Sequence, residues 1–149
     1  MIRPRIFIAC DTKNPKKIKR IINASQNSKI KFGFKFGLEF LNSRNGRNFI
    51  SKLENEITFG DYKLADIPNT CKSSIKAVKD LKFNYITIHI SSGLKAIQAA
   101  KKVSGSTKLV GVTILTSLDN RSLKEIGFDK DIKKIVYHQA KLATKAKLD

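Results

Sequence analysis

The sequence predicts an α/β fold of the (β/α)8-barrel type, with about five of the eight strand–helix units present in its 149 residues. Three observations predict it. Strand-like and helix-like hydrophobic patterns alternate along the whole chain, a polar residue stands at or near the end of each strand, and those residues recur at a nearly constant interval. From Asp11 to Lys35, Lys35 to Asp61, Lys63 to His89 and His89 to Thr116 the steps are 24, 26, 26 and 27 residues. Alternation implies a parallel sheet with helical crossovers. One polar residue per repeat fits a barrel, whose site gathers side chains from the C-terminal ends of several strands. A doubly wound sheet would also alternate, but should carry a glycine-rich phosphate loop after its first strand. Cys10-Asp11-Thr12-Lys13-Asn14 contains no glycine.

The elements follow in order. Ile6–Cys10 is a short continuous apolar run, as expected of a strand buried on both faces. Asn14-Pro15 opens a helix with Ile18, Ile21 and Ile22 on one side. Ile30–Gly37 reads as the second strand, followed by helical material around Leu38–Leu41 and Asn48–Leu53. Ile57–Lys63 is the third strand, and Pro68–Leu81 the third helix, with Ile75 and Val78 inward. Tyr85–Ile90 and Leu94–Val103 form the fourth unit; Lys108–Leu115, Arg121–Ile126 and Lys130–Lys147 form the fifth. Residues 1–149 are expected to make one barrel domain, incomplete at its C-terminus, with strands 6–8 absent.

Composition narrows the classes. An apolar fraction of 41% with 28% charged residues suits a globular chain, and 2 Cys exclude a disulfide scaffold. Cys10 and Cys71 form no CxxC and read as buried thiols of a reducing compartment. Met1–Arg5 precedes only five apolar residues, too few for a signal peptide, and the apolar stretch around Leu109–Leu115 is far short of a membrane span. A soluble, cytoplasmic protein is expected. The net charge of +18 invites a nucleic-acid partner. However, 24 of the 30 basic residues are Lys and 6 are Arg, the residue that base readout and bidentate phosphate contacts favour. Lysines also recur at helical spacing (Lys16, Lys17, Lys19; Lys72, Lys76, Lys79; Lys130, Lys133, Lys134, Lys141, Lys145), as on the wet faces of amphipathic helices.

The densest segment for chemistry is Asp61-Tyr62-Lys63-Leu64-Ala65-Asp66-Ile67-Pro68-Asn69-Thr70. On a strand, positions 61 and 63 share one side, which sets a carboxylate beside an ammonium. Lys35, one strand earlier, ends at a similar height, so a row of alternating charge at a barrel mouth would hold a proton donor in a confined place. An Asp-x-Lys at a strand end is often only an ion pair, and Asp66 or Asn69 beside Pro68 is ordinary helix-start chemistry. The polar strand-end residues of the other units tip the balance toward a site. His89 reads as a buried, hydrogen-bonded strand-end residue and His138 as a surface residue; Ser91-Ser92-Gly93 and Ser104-Gly105-Ser106 read as turns.

Phe59–Thr70 resembles the signature of the orotidine 5′-phosphate decarboxylase family, an Asp-x-Lys-x-x-Asp-Ile-Pro-Asn-Thr run. Ala9-Cys10-Asp11, Phe34–Glu39, Thr87-Ile88-His89 and Val112–Ser117 are similar to further segments of that family, in the same order. The resemblance implies cofactor-free decarboxylation of orotidine 5′-monophosphate to UMP by a homodimer, with neither nucleic acid nor membrane as partner. It implies a charged tetrad of Lys35, Asp61, Lys63 and Asp66, with Lys63 protonating C6 of the pyrimidine. Asp61 would lie beside the departing carboxylate, Lys35 and Asp11 at the ribose, and Thr116 and Ser117 at the base. Asp66, Ile67 and Thr70 would reach the neighbouring subunit's site. No metal ligand is implied.

The sequence departs from the family at its end. Lys147-Leu148-Asp149 lies where a sixth strand should begin, and the family's phosphate-gripping Gln and Arg and its Pro-Gly-Ile-Arg segment have no counterpart. The 149 residues alone are therefore expected to be inactive or nearly so. Related barrels that process sugar phosphates with Mg²⁺ use a similar Asp-x-Lys-x-x-Asp strand but lack the Ile-Pro-Asn-Thr continuation. A non-catalytic basic module that binds nucleic acid is the alternative of another class, disfavoured by 8% aromatic residues and no Trp.

Overall fold

The computed structural model describes residues 6–149; the stretch Met1–Arg5, read above against a signal peptide, lies outside the described residues. Five strands, β1 (Ile6–Ala9), β2 (Phe32–Phe36), β3 (Ile57–Leu64), β4 (Tyr85–His89) and β5 (Lys108–Val112), form one sheet in the order β1-β2-β3-β4-β5. Seven α-helices among the described residues fill the connections: α1 (Pro15–Gln26), α2 (Leu38–Leu41), α3 (Gly46–Ile50), α4 (Pro68–Ala77), α5 (Leu94–Val103), α6 (Asn120–Glu125) and α7 (Ile132–Lys145). The first two pairings are parallel, with Ala9 opposite Lys35 and Lys35 opposite Phe59. Each strand lies beside its predecessor in the chain. A doubly wound sheet reverses its order at a switch point; this one does not, and the winding is that of a partial (β/α) barrel.

Local chemistry sets the helix ends. Asn14 Oδ1 accepts the backbone N–H of Lys16 (3.0 Å) and Lys17 (3.4 Å), with Pro15 in the first turn, as a capped start requires. Asp131 caps α7 through Lys133 N–H at 2.9 Å, and Asp119 caps α6 through Ser122 N–H at 2.8 Å. Of the lysines marked above as wet helix faces, all are exposed except Lys72, which is half-buried.

The chain divides into two compact units, with boundaries inside β3 and β4. In the first (residues 1–62 and 77–86), Phe34, Phe36, Phe40, Ile18 and Ile50 form the buried core. Phe34 and Phe36 share one face of β2. The opposite face carries an aromatic layer in which the rings of Phe7, Phe59 and Tyr85 meet at 5.2–5.7 Å. Gly33 makes room for it: a β-carbon there would stand 2.4 Å from the Phe7 ring. Arg47 donates to both Asp80 carboxylate oxygens (2.6 and 2.7 Å) and to the Ala77 carbonyl.

In the second unit (residues 63–76 and 87–149), Cys71, Ile75, Ile88, Ile90, Ile97, Leu109 and Leu123 are buried. Asp149 closes it. Its N–H donates to the Leu109 carbonyl at 3.1 Å, and its carboxylate accepts from Leu109 N–H at 3.0 Å and from Lys101. Burial works against that carboxylate, but the bonds from Lys101 and Leu109 outweigh it and hold it below the usual carboxylate range. Asp149 thus sits beside β5, where a sixth strand was expected to begin.

Several boundaries differ from the sequence expectation. β1 is not buried on both faces: Ile6 is 45% exposed and Phe7 and Ile8 are half-buried, because among the described residues β1 is an outer strand with β2 as its one neighbour. β2 starts at Phe32, leaving Ile30 exposed. The helix expected over Pro68–Leu81 stops at Ala77, and the 3₁₀ turn Lys79–Leu81 follows, ended by left-handed Lys82 (φ 50°). Val78 is accordingly half-buried. β5 ends at Val112, short of the expected Leu115, and a turn from Leu118 N–H to the Leu115 carbonyl at 3.0 Å follows.

Candidate active site

Of the residues singled out in the sequence, Asp11, Lys35 and Asp61 lie in the first unit. Cys10 N–H donates to the Lys35 carbonyl at 2.8 Å, so the chain leaves β1 beside β2 and places Asp11 just past the strand end, exposed. Gly37 lies against it; a β-carbon there would stand 3.0 Å from Asp11 Oδ1. Lys35, opposite Phe59 in register, occupies the β2 face that carries the aromatic layer. Asp61 is two residues beyond Phe59 on β3 and shares that face. Lys35 Nζ meets Asp61 Oδ2 at 3.4 Å, with side-chain exposures of 31% and 9%. An ion pair thus sits at the C-terminal end of β2 and β3, on the face that carries the half-buried rings of Phe7, Phe59 and Tyr85.

Lys63, Asp66, Ile67, Thr70, Thr116 and Ser117 lie in the second unit. Lys63 is half-buried, and its backbone is in the left-handed region at φ 46°. A left-handed residue within β3 (Ile57–Leu64) is a local break in the regular pleat that the residue pattern does not signal. Its N–H donates to Thr87 Oγ1 at 2.8 Å. Asp66 and Ile67 are exposed in the loop before α4, and Ile67 is 66% exposed. The loop is held by hydrogen bonds. Asp66 Oδ1 accepts Ile67 N–H (2.7 Å), the Cys71 thiol donates to the Asp66 carbonyl (3.1 Å), and Cys71 N–H donates to the Ile67 carbonyl (3.0 Å). Thr70 is half-buried in α4. Thr116 and Ser117 do not end β5 as expected; they form the exposed turn after it, because the strand stops at Val112.

His89 is the half-buried last residue of β4, and His138 is exposed on α7. Burial pushes both thiols up, Cys10 to about 11, which fits inert core residues. In the sequence Thr87 stands out only as part of the strand segment Thr87-Ile88-His89. The signal for it was a hydroxyl two residues before His89, on the same strand face as Tyr85 and His89. The aromatic layer and the Gly37–Asp11 approach had no signal in residue spacing. Among the described residues, no three of His, Cys, Asp and Glu cluster as metal ligands, and no helix is long and apolar enough to cross a membrane.

The family model for Orotidine 5′-phosphate decarboxylase / HUMPS matches residues 4–149. The chain belongs to that family. Curated family relatives named orotidine 5′-phosphate decarboxylase include one from Wolbachia sp. subsp. Brugia malayi, 38% identical over 96% of this chain and 64% of that protein. Another, from Wolbachia pipientis subsp. Culex pipiens, is 37% identical over 94% of this chain and 62% of its own length. The chain thus spans less than two-thirds of these relatives. Among solved structures, orotidine 5′-phosphate decarboxylase from Lactobacillus acidophilus superposes with a TM-score of 0.85 at 30% identity, over 97% of this chain and 68% of that one. An uncharacterized conserved protein from Geobacillus kaustophilus gives 0.88 at 25% identity, over 97% and 71%.

Proposed function

We propose that this chain carries the decarboxylation machinery of an orotidine 5′-phosphate decarboxylase, acting in the cytoplasm without metal or cofactor in the last step of pyrimidine nucleotide synthesis. In the reaction the bond between C6 and the carboxylate breaks, CO₂ leaves, and the electron pair stays at C6 of the pyrimidine. Lys63 Nζ then gives that carbon its proton, producing UMP. A fixed ammonium beside a developing carbanion supplies electrostatic stabilisation along with the proton. Asp61 is assigned to the side of the departing carboxylate, Lys35 and Asp11 to the ribose, and Thr116 and Ser117 to the base. Asp66, Ile67 and Thr70 are assigned to the neighbouring site of a homodimer.

The observation that carries the reading is the buried Asp61 carboxylate paired with Lys35 at 3.4 Å, two residues before a lysine whose backbone leaves the strand conformation. Residues 1–149 are taken as one incomplete barrel domain, and alone they should turn over little or no substrate. The test joins them to the remaining C-terminal part of the Brugia malayi Wolbachia relative. The joined protein should form UMP from orotidine 5′-monophosphate at the same rate with and without chelator. A folded fusion that forms none, or that loses activity to chelator, would defeat the reading.

A further inference from the structure

Lys63 adopts φ 46° inside β3 (Ile57–Leu64). The other non-glycine residues with positive φ among the described residues, Lys82 and Lys147, follow helical segments. A left-handed residue there is an ordinary way to end a helix. Inside a strand a lysine meets a steric penalty from its own Cβ and interrupts the ladder. Something must hold it. The N–H of Lys63, which in an unbroken parallel ladder would go to a neighbouring carbonyl, instead donates to Thr87 Oγ1 at 2.8 Å. Thr87 lies in β4 and is 5% exposed, so its hydroxyl is fixed by packing.

We propose that Thr87 is a positioning residue. Its buried hydroxyl captures the Lys63 N–H, holds the left-handed turn, and thereby sets the direction in which the Lys63 amine leaves the strand. The proposal rests on the reading of Lys63 as proton donor. The hydroxyl is the operative group, so serine should serve in its place and valine, of the same shape, should not.

The test uses the isotope-labelled full chain and follows Lys63 by NMR in Thr87→Val and Thr87→Ser. Thr87→Val should speed Lys63 amide exchange by about five- to tenfold, the worth of one hydrogen bond, and shift its Cα and Cβ resonances toward strand values. Amides elsewhere in β3 and β4 should keep their protection. Thr87→Ser should retain the wild-type exchange and shifts, and it decides the matter alone if the valine variant does not fold. A Lys63 amide unchanged in Thr87→Val would overturn the assignment, as would one disturbed in Thr87→Ser, since packing would then be responsible. Lys63→Ala in the joined protein tests the parent reading separately. Turnover that survives Lys63→Ala defeats that reading and the catalytic meaning of Thr87 together. Turnover lost there, with an undisturbed Lys63 amide in Thr87→Val, defeats the Thr87 assignment alone.

Discussion

Neutralising Lys35 tests whether its pairing with Asp61 is an energetic unit. At the observed 3.4 Å, two unit charges attract by about 5 kcal/mol at an effective dielectric of ~20, and by about 1 kcal/mol in bulk water. Asp61 is 9% exposed, which favours the higher figure, while Lys35, 31% exposed, lets water screen the pair. Desolvation of the carboxylate offsets much of what remains. A net coupling of about 1–2 kcal/mol is expected. Lys35→Met should therefore destabilise the chain by about 2 kcal/mol, because the buried carboxylate loses a positive neighbour. Adding Asp61→Asn should recover most of that loss. Urea denaturation of wild type, both single variants and the double variant closes the cycle. A coupling below about 0.3 kcal/mol would refute the reasoning and reduce the pair to a surface contact.

Two further outcomes follow from the packing. Gly46→Ala would place its β-carbon 2.0 Å from the Phe40 carbonyl oxygen, a backbone atom that cannot yield cheaply, and should cost at least about 2 kcal/mol in the same urea assay. Cys10, with its thiol pushed from 9.0 to about 11, binds its proton more tightly in the folded chain. Its contribution is thus complete below pH 9 and lost as pH rises toward 11, on the order of 2–3 kcal/mol in all. Wild type should lose more stability than Cys10→Ala across that window; parallel pH curves would show that burial of the thiol does not matter.

Much of the fold was legible because a buried strand and an amphipathic helix leave different hydrophobic periods. The alternation and the helix start at Asn14-Pro15 follow from local chemistry. What the pattern missed depends on neighbours. Ile6 looks like core in sequence, yet among the described residues β1 has β2 as its one neighbour. Thr116 and Ser117 follow a β-branched run over Val112–Ile114, but they lie in the turn that Leu118 N–H and the Leu115 carbonyl close. The site was legible in residue type rather than in geometry. Asp61 and Lys35 do meet, whereas the left-handed backbone of Lys63 and the hydroxyl that holds it depend on β3 and β4 lying together.

On the proposed function, Lys63 delivers the proton that turns the C6 carbanion into UMP. This role is tested most directly by the rate of UMP formation in the joined protein with Lys63→Ala. Loss of both the acid and the fixed charge predicts a fall of at least about 10³-fold. A variant within about tenfold of the parent, far smaller than any general-acid contribution, would contradict the account.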